Sequence, residues 1–208
     1  AQGVVHSVVD VRDLGCDFYA FSGHKVYAAP GTGVLYGRRE LMEQMPPYMG
    51  GGEMIASVSF SGTTYAQLPG KYEAGTQNMA GTPTLKPALE LAKALRDKEI
   101  AEYGEKVRDF VLNALLSDER IKLYGVPRGT SDKIPLFSFS VKGAHHEDLA
   151  LLLDKMGVAV RSGQMCAEPL MDRFGVTGML RASFAPYNTM EEAEYFLKSL
   201  DRAISMLV

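Results

Sequence analysis

FSGHKVYAAPGTG, residues 21–33, places a lysine directly after Ser-Gly-His and before a loop rich in glycine and proline. The preceding run CDFYAF, residues 16–21, is short and rich in aromatic residues, which predicts a buried strand. Gly23 breaks that strand, and the PGTG loop separates it from a second apolar run, GVLYG. Lys25 is therefore expected just beyond the carboxyl end of a strand.

The position of Lys25 makes it the first candidate catalytic residue. In open α/β sheets, ligands bind at the edge formed by the carboxyl ends of the strands. A lysine that is held there and partly shielded from water can lose its proton and attack a carbonyl carbon, as Schiff-base formation requires. The alternative is a solvent-facing loop lysine without a catalytic role, and this stretch alone leaves both interpretations open.

The composition is that of an ordinary globular chain of one or two domains. Of the 208 residues, 46% are hydrophobic and 23% are charged, which allows a sizeable core. The 22 basic and 25 acidic residues give a net charge of −3 without a basic cluster, so nucleic acid and anionic membranes are poor partners. No apolar run reaches the roughly 20 residues of a membrane span, and the first residues lack the pattern of a signal peptide. We expect a cytoplasmic protein.

Metal and nucleotide sites find little support in the sequence. Cys16 and Cys166 lie far apart and lack CxxC spacing, so neither a disulfide framework nor a zinc ribbon is indicated. His145 and His146 lack the spacing of metal ligands, and no GxGxxG or Walker motif occurs. Each cysteine must therefore be considered by itself.

Patterns along the chain divide it into two regions joined by helices. Residues 38–45 predict a short helix, whereas the irregular residues 48–83 are too long and glycine-rich for an ordinary connection and are typical of a functional loop. From Thr84 onward, apolar residues at helical spacing predict two helices, or one long kinked helix, bridging two domains. A parallel sheet that begins near residue 1 would need upstream partner strands, so we expect this chain to be a fragment.

The C-terminal part predicts a small α+β unit. The predicted strands cover residues 134–141, 158–163 and 179–184, and a helix covers residues 146–156, with Gly157 at its C-terminal cap. Thr189 and Glu192 form a capping box before the last helix, whose apolar residues make a single stripe. The predicted division is a first domain over residues 1–83, bridging helices over 84–118 and a small domain over 119–208.

Five sequence blocks, in their order along the chain, resemble a known family. They are DFYAFSGHK (17–25), GGGEMI (50–55), YEAGTQN (72–78), RSGQMCAEPLM (161–171) and LRASFAPYNTMEEAE (180–194). Together they resemble the second half of a group II, Suf-type cysteine desulfurase or selenocysteine lyase of the class V aminotransferase superfamily. The resemblance implies an α/β protein of the pyridoxal-phosphate-dependent transferase fold type I, with part of the large domain followed by the small C-terminal domain.

The resemblance assigns a set of residues to the cofactor, pyridoxal 5'-phosphate. It implies that Lys25 forms the Schiff base with the cofactor aldehyde, while Ser22 and His24 bind the phosphate. Hydroxyl and imidazole donors suit a phosphate, since they can surround it while the lysine reaches the aldehyde. Gln2 would reach the phenolic oxygen, and Thr76 would complete the phosphate site of a neighbouring subunit. The expected assembly is a homodimer.

A second group of residues would act on the substrate. By the same resemblance Cys166 carries the persulfide, Arg181 binds the substrate carboxylate and Asn188 helps to shape the site. From sequence alone, Cys166 fits a small buried hydrophobe as well as an exposed nucleophile, and Arg181 fits a surface ion pair as well as a carboxylate clamp. Gln164 and Met165 stand where the family commonly has two histidines, which leaves the rate and the sulfur acceptor open.

The implied reaction converts L-cysteine to L-alanine and leaves a persulfide on Cys166. A sulfur-acceptor protein of the Suf type would take this sulfur for iron–sulfur cluster assembly, and L-selenocysteine would release selenium from the same site. One alternative is another fold-type I enzyme: an aminotransferase, a kynureninase-like hydrolase or a sugar-aminating enzyme. A further alternative is a module without catalytic activity that dimerises or docks a partner.

Overall fold

The structure, a computed structural model, describes residues 3–125 and 133–208, and the chain divides into two compact units, Ala1–Asp97 and Lys98–Val208. The α-helices are α1 (Gly3–His6), α2 (Arg39–Gln44), α3 (Leu85–Ala94), α4 (Lys98–Ser117), α5 (His146–Lys155), α6 (Glu168–Phe174) and α7 (Met190–Leu207). The strands are β1 (Phe18–Ser22), β2 (Gly33–Gly37), β3 (Ile55–Ser59), β4 (Gly62–Tyr65), β5 (Ile121–Tyr124), β6 (Leu136–Val141), β7 (Arg161–Gly163) and β8 (Met179–Ser183).

β1 and β2 pair in the first unit, which confirms the two predicted apolar runs as strands. They run antiparallel, with Phe18 opposite Gly37 and Ser22 opposite Gly33. The prediction of a buried strand is wrong for this chain, because β2 is the only strand paired with β1 among the described residues and Phe18 remains 42% exposed. The expected parallel arrangement is likewise not observed in residues 3–125.

α2 occupies the segment predicted as a short helix, and side chains from a distant loop cap its C-terminal end. Lys71 Nζ donates to the carbonyl oxygens of Met42, at 3.1 Å, and Glu43, at 3.0 Å. Tyr72 Oη donates to the Met42 carbonyl at 2.9 Å. The last carbonyls of a helix lack partners within the helix, so these donors satisfy them. The loop that leads to Thr76 is thereby fastened to α2.

β3 and β4 form an antiparallel hairpin inside residues 48–83. Ser57 and Thr64 face each other across it, with 2.6 Å between their hydroxyl oxygens, and Phe60 at the turn is fully exposed. The prediction of a wholly irregular loop is therefore wrong here. Serine, threonine and glycine supply most of this stretch, so the apolar alternation that marks a strand is weak although backbone pairing forms the hairpin.

The region after Thr84 contains two separate helices, α3 and α4, which decides between the two predicted alternatives. α3 buries Ala88 and Ala92 in the first unit, and α4 belongs to the second. The division after Asp97 falls within the predicted bridging region, residues 84–118. The role of that region as a bridge between domains stays a prediction.

The second unit is built on a four-stranded antiparallel sheet in the order β5-β6-β8-β7. In β6, Phe137 and Phe139 are fully buried while Ser138 between them points to the other face. The core formed with helices α4, α5 and α7 includes Val111, Leu112, Leu115, Leu149, Leu153, Leu180, Phe196, Leu200 and Ile204. The predicted strand over residues 158–163 is shortened to β7, and β5 and α6 were not predicted at all.

The last helix follows its predicted pattern closely. The Thr189 hydroxyl accepts from the Glu192 amide at 3.2 Å, and the Glu192 carboxylate accepts from the Thr189 amide at 3.0 Å, which confirms the capping box. Most of the predicted apolar stripe is buried, but Leu207 in the final turn is exposed. Gly157 follows α5 with φ +77°, a conformation that favours glycine at a helix end.

The described residues offer neither a membrane span nor a metal site. None of the helices in residues 3–125 and 133–208 is long and apolar enough to cross a bilayer. The same residues contain no group of three or more His, Cys, Asp or Glu side chains that could hold a metal ion. The rings of His145 and His146 lie 4.2 Å apart and contact each other.

Candidate active site

Lys25 lies on a 3₁₀ turn, Gly23–Val26, that begins directly after β1. Its neighbour Val26 is 1% exposed and anchors the turn, while the Lys25 side chain is exposed. Tyr27 then adopts a left-handed conformation with φ +70°, and the Ala28 amide closes the turn on the Gly23 carbonyl at 3.0 Å. The predicted position beyond the strand end is confirmed, but the first unit alone does not bury the amine.

The glycine of the Ser-Gly-His-Lys sequence is required by a close approach of the chain. The Gly23 amide donates to the Thr32 carbonyl at 2.8 Å. A Cβ atom on Gly23 would lie 2.4 Å from Thr32 Oγ1 and 3.2 Å from the Thr32 carbonyl oxygen. Only glycine fits this contact. The two ends of the Lys25 loop are therefore joined at its base.

Ser22 and His24 flank this glycine and bring two further polar side chains to the turn. Ser22 is half-buried and His24 is exposed. Among the described residues, the side chains of Ser22, His24 and Lys25 make no hydrogen bond or ion pair with another side chain or with the backbone. The turn thus presents a hydroxyl, an imidazole and an amine that are available to a ligand.

Thr76 lies in an exposed loop of the same unit, beyond the segment fastened to α2. The Gly75 amide donates to the Gly52 carbonyl at 2.9 Å, which holds this loop against the GGG stretch. The cleft beside Thr76 is also lined by Glu53 and Glu73. Gln2 lies outside the described residues. The proposed contacts of both residues with the cofactor stay predictions.

Cys166 is exposed in the turn between β7 and α6, which excludes the alternative of a small buried hydrophobe. Met165 and Cys166 adopt consecutive left-handed conformations, with φ +58° and +59°. Such conformations cost non-glycine residues on the order of 1–3 kcal/mol each, and they concentrate at functional sites. The backbone is thus held in an unfavourable geometry at the residue that presents the thiol.

Arg161 contacts this thiol and was not singled out from the sequence. Its Nη2 donates to Cys166 Sγ at 3.7 Å. In the sheet, Arg161 on β7 stands opposite Arg181 on β8, and Ser138 on β6 flanks Arg181 from the other side. Arg161 begins the RSGQMC stretch, so it could have been noticed in the sequence. Its proximity to Arg181, however, depends on the pairing of β7 with β8. The structure therefore brings Cys166, Arg161 and Arg181 together.

Arg181 has an unsatisfied donor in this arrangement. Its Nε is buried and has no hydrogen-bond partner within the described part of the chain. Burial, followed by the positive charge of Arg161, lowers the pKa of Arg181 from its ordinary value. Adjacent guanidinium groups attract anions, and a planar fork suits a carboxylate. The pair therefore forms a candidate anion site beside the thiol.

Asn188 has a structural role in the second unit. Its Oδ1 accepts from the Ala185 amide at 2.7 Å, and its Nδ2 donates to Glu192 Oε2 at 2.9 Å. The side chain therefore belongs to the turn and cap that begin α7. Contact with a substrate stays a prediction for this residue.

The comparison with known families identifies the fold that carries these groups. The model of the aminotransferase class-V family matches residues 1–196. The chain belongs to this family. Class-V aminotransferases and cysteine desulfurases depend on pyridoxal phosphate, and their structures have a mixed α/β fold.

Curated relatives of this chain include cysteine desulfurases. It is 46% identical over 208 residues to cysteine desulfurase CsdA of Escherichia coli, covering 100% of this chain and 51% of the relative. It is 45% identical over 207 residues to a probable cysteine desulfurase of Vibrio cholerae, covering 100% of this chain and 50% of the relative. The chain thus spans about half the length of the curated relatives it matches.

Solved structures agree with this class-V assignment. A crystal structure of CsdA (S-sulfonic acid) from Escherichia coli matches with a TM-score of 0.91 and 42% identity, over 100% of this chain and 51% of that one. The apo cysteine desulfurase of Thermococcus onnurineus NA1 matches with a TM-score of 0.92 and 36% identity, over 100% and 52%. The predicted fold class is confirmed.

The exposed turn around Lys25 fits the family cofactor. Pyridoxal phosphate needs an amine for its aldehyde carbon and neutral or positive donors for its phosphate. Lys25 offers the amine, and Ser22 and His24 offer donors that no described residue engages. The donor set of this turn therefore suits the cofactor.

Proposed function

We propose that the protein is a pyridoxal-phosphate-dependent cysteine desulfurase that converts L-cysteine to L-alanine and keeps the sulfur as a persulfide on Cys166. The observation that carries the proposal is the exposed Cys166 thiol, which accepts a hydrogen bond from Arg161 beside Arg181. An aminotransferase or a kynureninase-like hydrolase of the same fold needs no thiol there. The identity of about 45% with cysteine desulfurases supports the same choice.

The residues of this chain divide the work of the reaction. When bound, pyridoxal phosphate supplies an electron sink for the charge that develops at the substrate Cα. Lys25 holds the cofactor and moves the proton at Cα, with Ser22 and His24 binding the phosphate. Arg181 binds the carboxylate of L-cysteine through its guanidinium fork, which fixes the orientation of the substrate.

Cys166 takes the sulfur. Its thiolate attacks the substrate sulfur, so a sulfur–sulfur bond forms while the carbon–sulfur bond of the substrate breaks. The electron pair of the carbon–sulfur bond stays with the substrate carbon. That carbon takes up a proton, and the product leaves as L-alanine. Arg161 directs an N–H group at Sγ and so orients the sulfur for this attack.

The proposal extends to the assembly and the fate of the sulfur. We place Thr76 in the phosphate site of a neighbouring subunit of a homodimer, since its hydroxyl is exposed on a loop fastened to α2. The persulfide passes to a sulfur-acceptor protein of the Suf type for iron–sulfur cluster assembly in the cytoplasm. L-Selenocysteine enters the same site and releases selenium, because selenium replaces sulfur without changing the groups that Arg181 and Lys25 bind.

Residues 1–208 alone are expected to bind pyridoxal phosphate poorly and to be inactive. The chain spans about half the length of its relatives, and the donors found on the Lys25 turn serve only the aldehyde and the phosphate. Spectral titration of the isolated 208-residue chain checks this. A visible absorbance band that saturates at micromolar cofactor and is lost in Lys25→Ala would contradict it.

The desulfurase proposal is tested by the products that the holoenzyme forms from L-cysteine. We expect L-alanine, together with a mass increase of one sulfur atom on the peptide that contains Cys166. Cys16→Ala is the matched control, because Cys16 is half-buried and its Sγ faces the Val11 carbonyl at 3.8 Å. Formation of a keto acid in place of alanine would support an aminotransferase instead.

A further inference from the structure

A group of hydrogen bonds joins the loop after Lys25 to the segment that precedes α3. We name it the Thr84 clamp, and it consists of Ala29, Thr32, Asn78, Gly81 and Thr84. The Ala29 amide donates to Thr84 Oγ1 at 3.0 Å, and Thr84 Oγ1 donates in turn to the Gly81 carbonyl at 2.6 Å. Thr32 Oγ1 donates to the Ala29 carbonyl at 3.0 Å. Both backbone polar groups of Ala29 are thus held by threonine hydroxyls.

The two segments of the clamp are in close contact. Gly81 is buried, and its amide donates to Asn78 Oδ1 at 2.9 Å. A Cβ atom on Gly81 would lie 2.6 Å from Asn78 Nδ2 and 2.7 Å from Thr32 Cγ2. The clamp therefore has no room for a side chain at this position. The hydrogen bonds of the clamp thus join two closely packed segments, the loop after Lys25 and the segment before α3.

The clamp continues to the base of the Lys25 turn. The Thr32 hydroxyl donates to the Ala29 carbonyl, and the Thr32 carbonyl accepts from the Gly23 amide at 2.8 Å. Gly23 is the first residue of the turn that carries Lys25. A continuous set of hydrogen bonds thus runs from the turn through Thr32 and Ala29 to Thr84. The Thr84 side chain is the only described side chain that bonds the Ala29 amide.

We propose that Thr84 is a positioning residue for Lys25. Its hydroxyl fixes the backbone at Ala29 and so holds the turn in the geometry that directs the Lys25 amine and the His24 imidazole to one ligand. Since the Thr84 hydroxyl is engaged by the Ala29 amide and the Gly81 carbonyl, it acts through the backbone. The inference rests on the proposed function, in which Lys25 binds the cofactor aldehyde.

The test compares three variants of the holoenzyme. Thr84→Val keeps the shape of the side chain but leaves the half-buried Ala29 amide without its acceptor, whereas Thr84→Ser restores the hydroxyl. Thr82→Ala is the matched control, since the exposed Thr82 lies with Thr84 on the 3₁₀ turn Thr82–Thr84 and is bonded through its backbone. Its amide donates to the Asn78 carbonyl at 2.9 Å, and its carbonyl accepts from the Leu85 amide. The readouts are amide hydrogen exchange at residue 29 and the dissociation constant of pyridoxal phosphate.

In Thr84→Val we expect exchange at residue 29 to accelerate by about tenfold and cofactor binding to weaken by a similar factor, because both partly buried hydrogen bonds of the Thr84 hydroxyl, with the Ala29 amide and the Gly81 carbonyl, are lost. Thr84→Ser should restore both readouts, and Thr82→Ala should change neither.

Unchanged exchange in Thr84→Val would overturn the clamp itself. Faster exchange with unchanged cofactor affinity would show that the clamp is structural only and would overturn the positioning role. If the parent protein binds no cofactor through Lys25, the proposed function fails and the positioning role fails with it. The exchange measurement then still decides whether the clamp forms.

Discussion

Cys166→Ala should nearly abolish alanine formation from L-cysteine while leaving the fold and cofactor binding intact. The change removes one sulfur atom from an exposed side chain, and surface substitutions usually change stability by less than about 0.5 kcal/mol. Carbon–sulfur cleavage needs a thiolate to accept the sulfur, and alanine offers none. The measurement is alanine production by the holoenzyme, with the visible absorbance of the bound cofactor recorded in parallel.

Cys16→Ala provides the control for the loss of a thiol. Cys16 lies before β1 in the first unit, so its removal should leave alanine production and the persulfide on Cys166 unchanged. With L-selenocysteine, Cys166→Ala should retain part of its activity, because the weaker carbon–selenium bond can break without a covalent acceptor. If Cys166→Ala makes alanine from L-cysteine at the parental rate, Cys166 is structural and the desulfurase proposal is lost.

Arg181→Ala is expected to lower kcat/KM for L-cysteine by a factor that corresponds to about 2–4 kcal/mol, because a charge-assisted contact to the carboxylate disappears. The buried and unsatisfied Nε of Arg181 indicates that this side chain is placed for a ligand. Cofactor absorbance should survive, since the substitution leaves Lys25, Ser22 and His24, the residues proposed to hold the cofactor, unchanged. Steady-state kinetics of alanine formation give the measurement.

Two further variants sharpen the result for Arg181. Arg181→Lys keeps the positive charge but loses the planar fork, so an intermediate loss would attribute part of the effect to bidentate geometry. Arg202→Ala, at an exposed position of α7, controls for the removal of an arginine elsewhere in the unit. An activity of Arg181→Ala within about threefold of the parent, worth roughly 0.7 kcal/mol, would refute the carboxylate assignment.

The elements that could be predicted from the sequence are those whose signal is local. Aromatic residues followed by Gly23 predicted β1 and the turn that carries Lys25, and the Thr189 capping box marked the start of α7. The β3–β4 hairpin was missed because its serine and threonine residues pair through the backbone and do not alternate clearly in polarity.

The arrangement of the substrate site depended on information that local patterns do not contain. Arg161 faces Arg181 only because β7 pairs with β8 in one register, and a shift of one residue would turn the guanidinium to the opposite face. The hydrogen bond from Arg161 to Cys166 follows from that register. Asn188 was predicted from the resemblance, and its amide is engaged in the turn before α7.

The left-handed backbone at Met165 and Cys166 also restricts how this part of the protein can evolve. At φ +58°, a β-branched side chain is strongly disfavoured, whereas glycine, asparagine or aspartate fits readily. Backbone sterics therefore restrict which substitutions are favourable at position 165, independently of any contact with the substrate. The geometry that presents the thiol would then be inherited as a feature of the main chain.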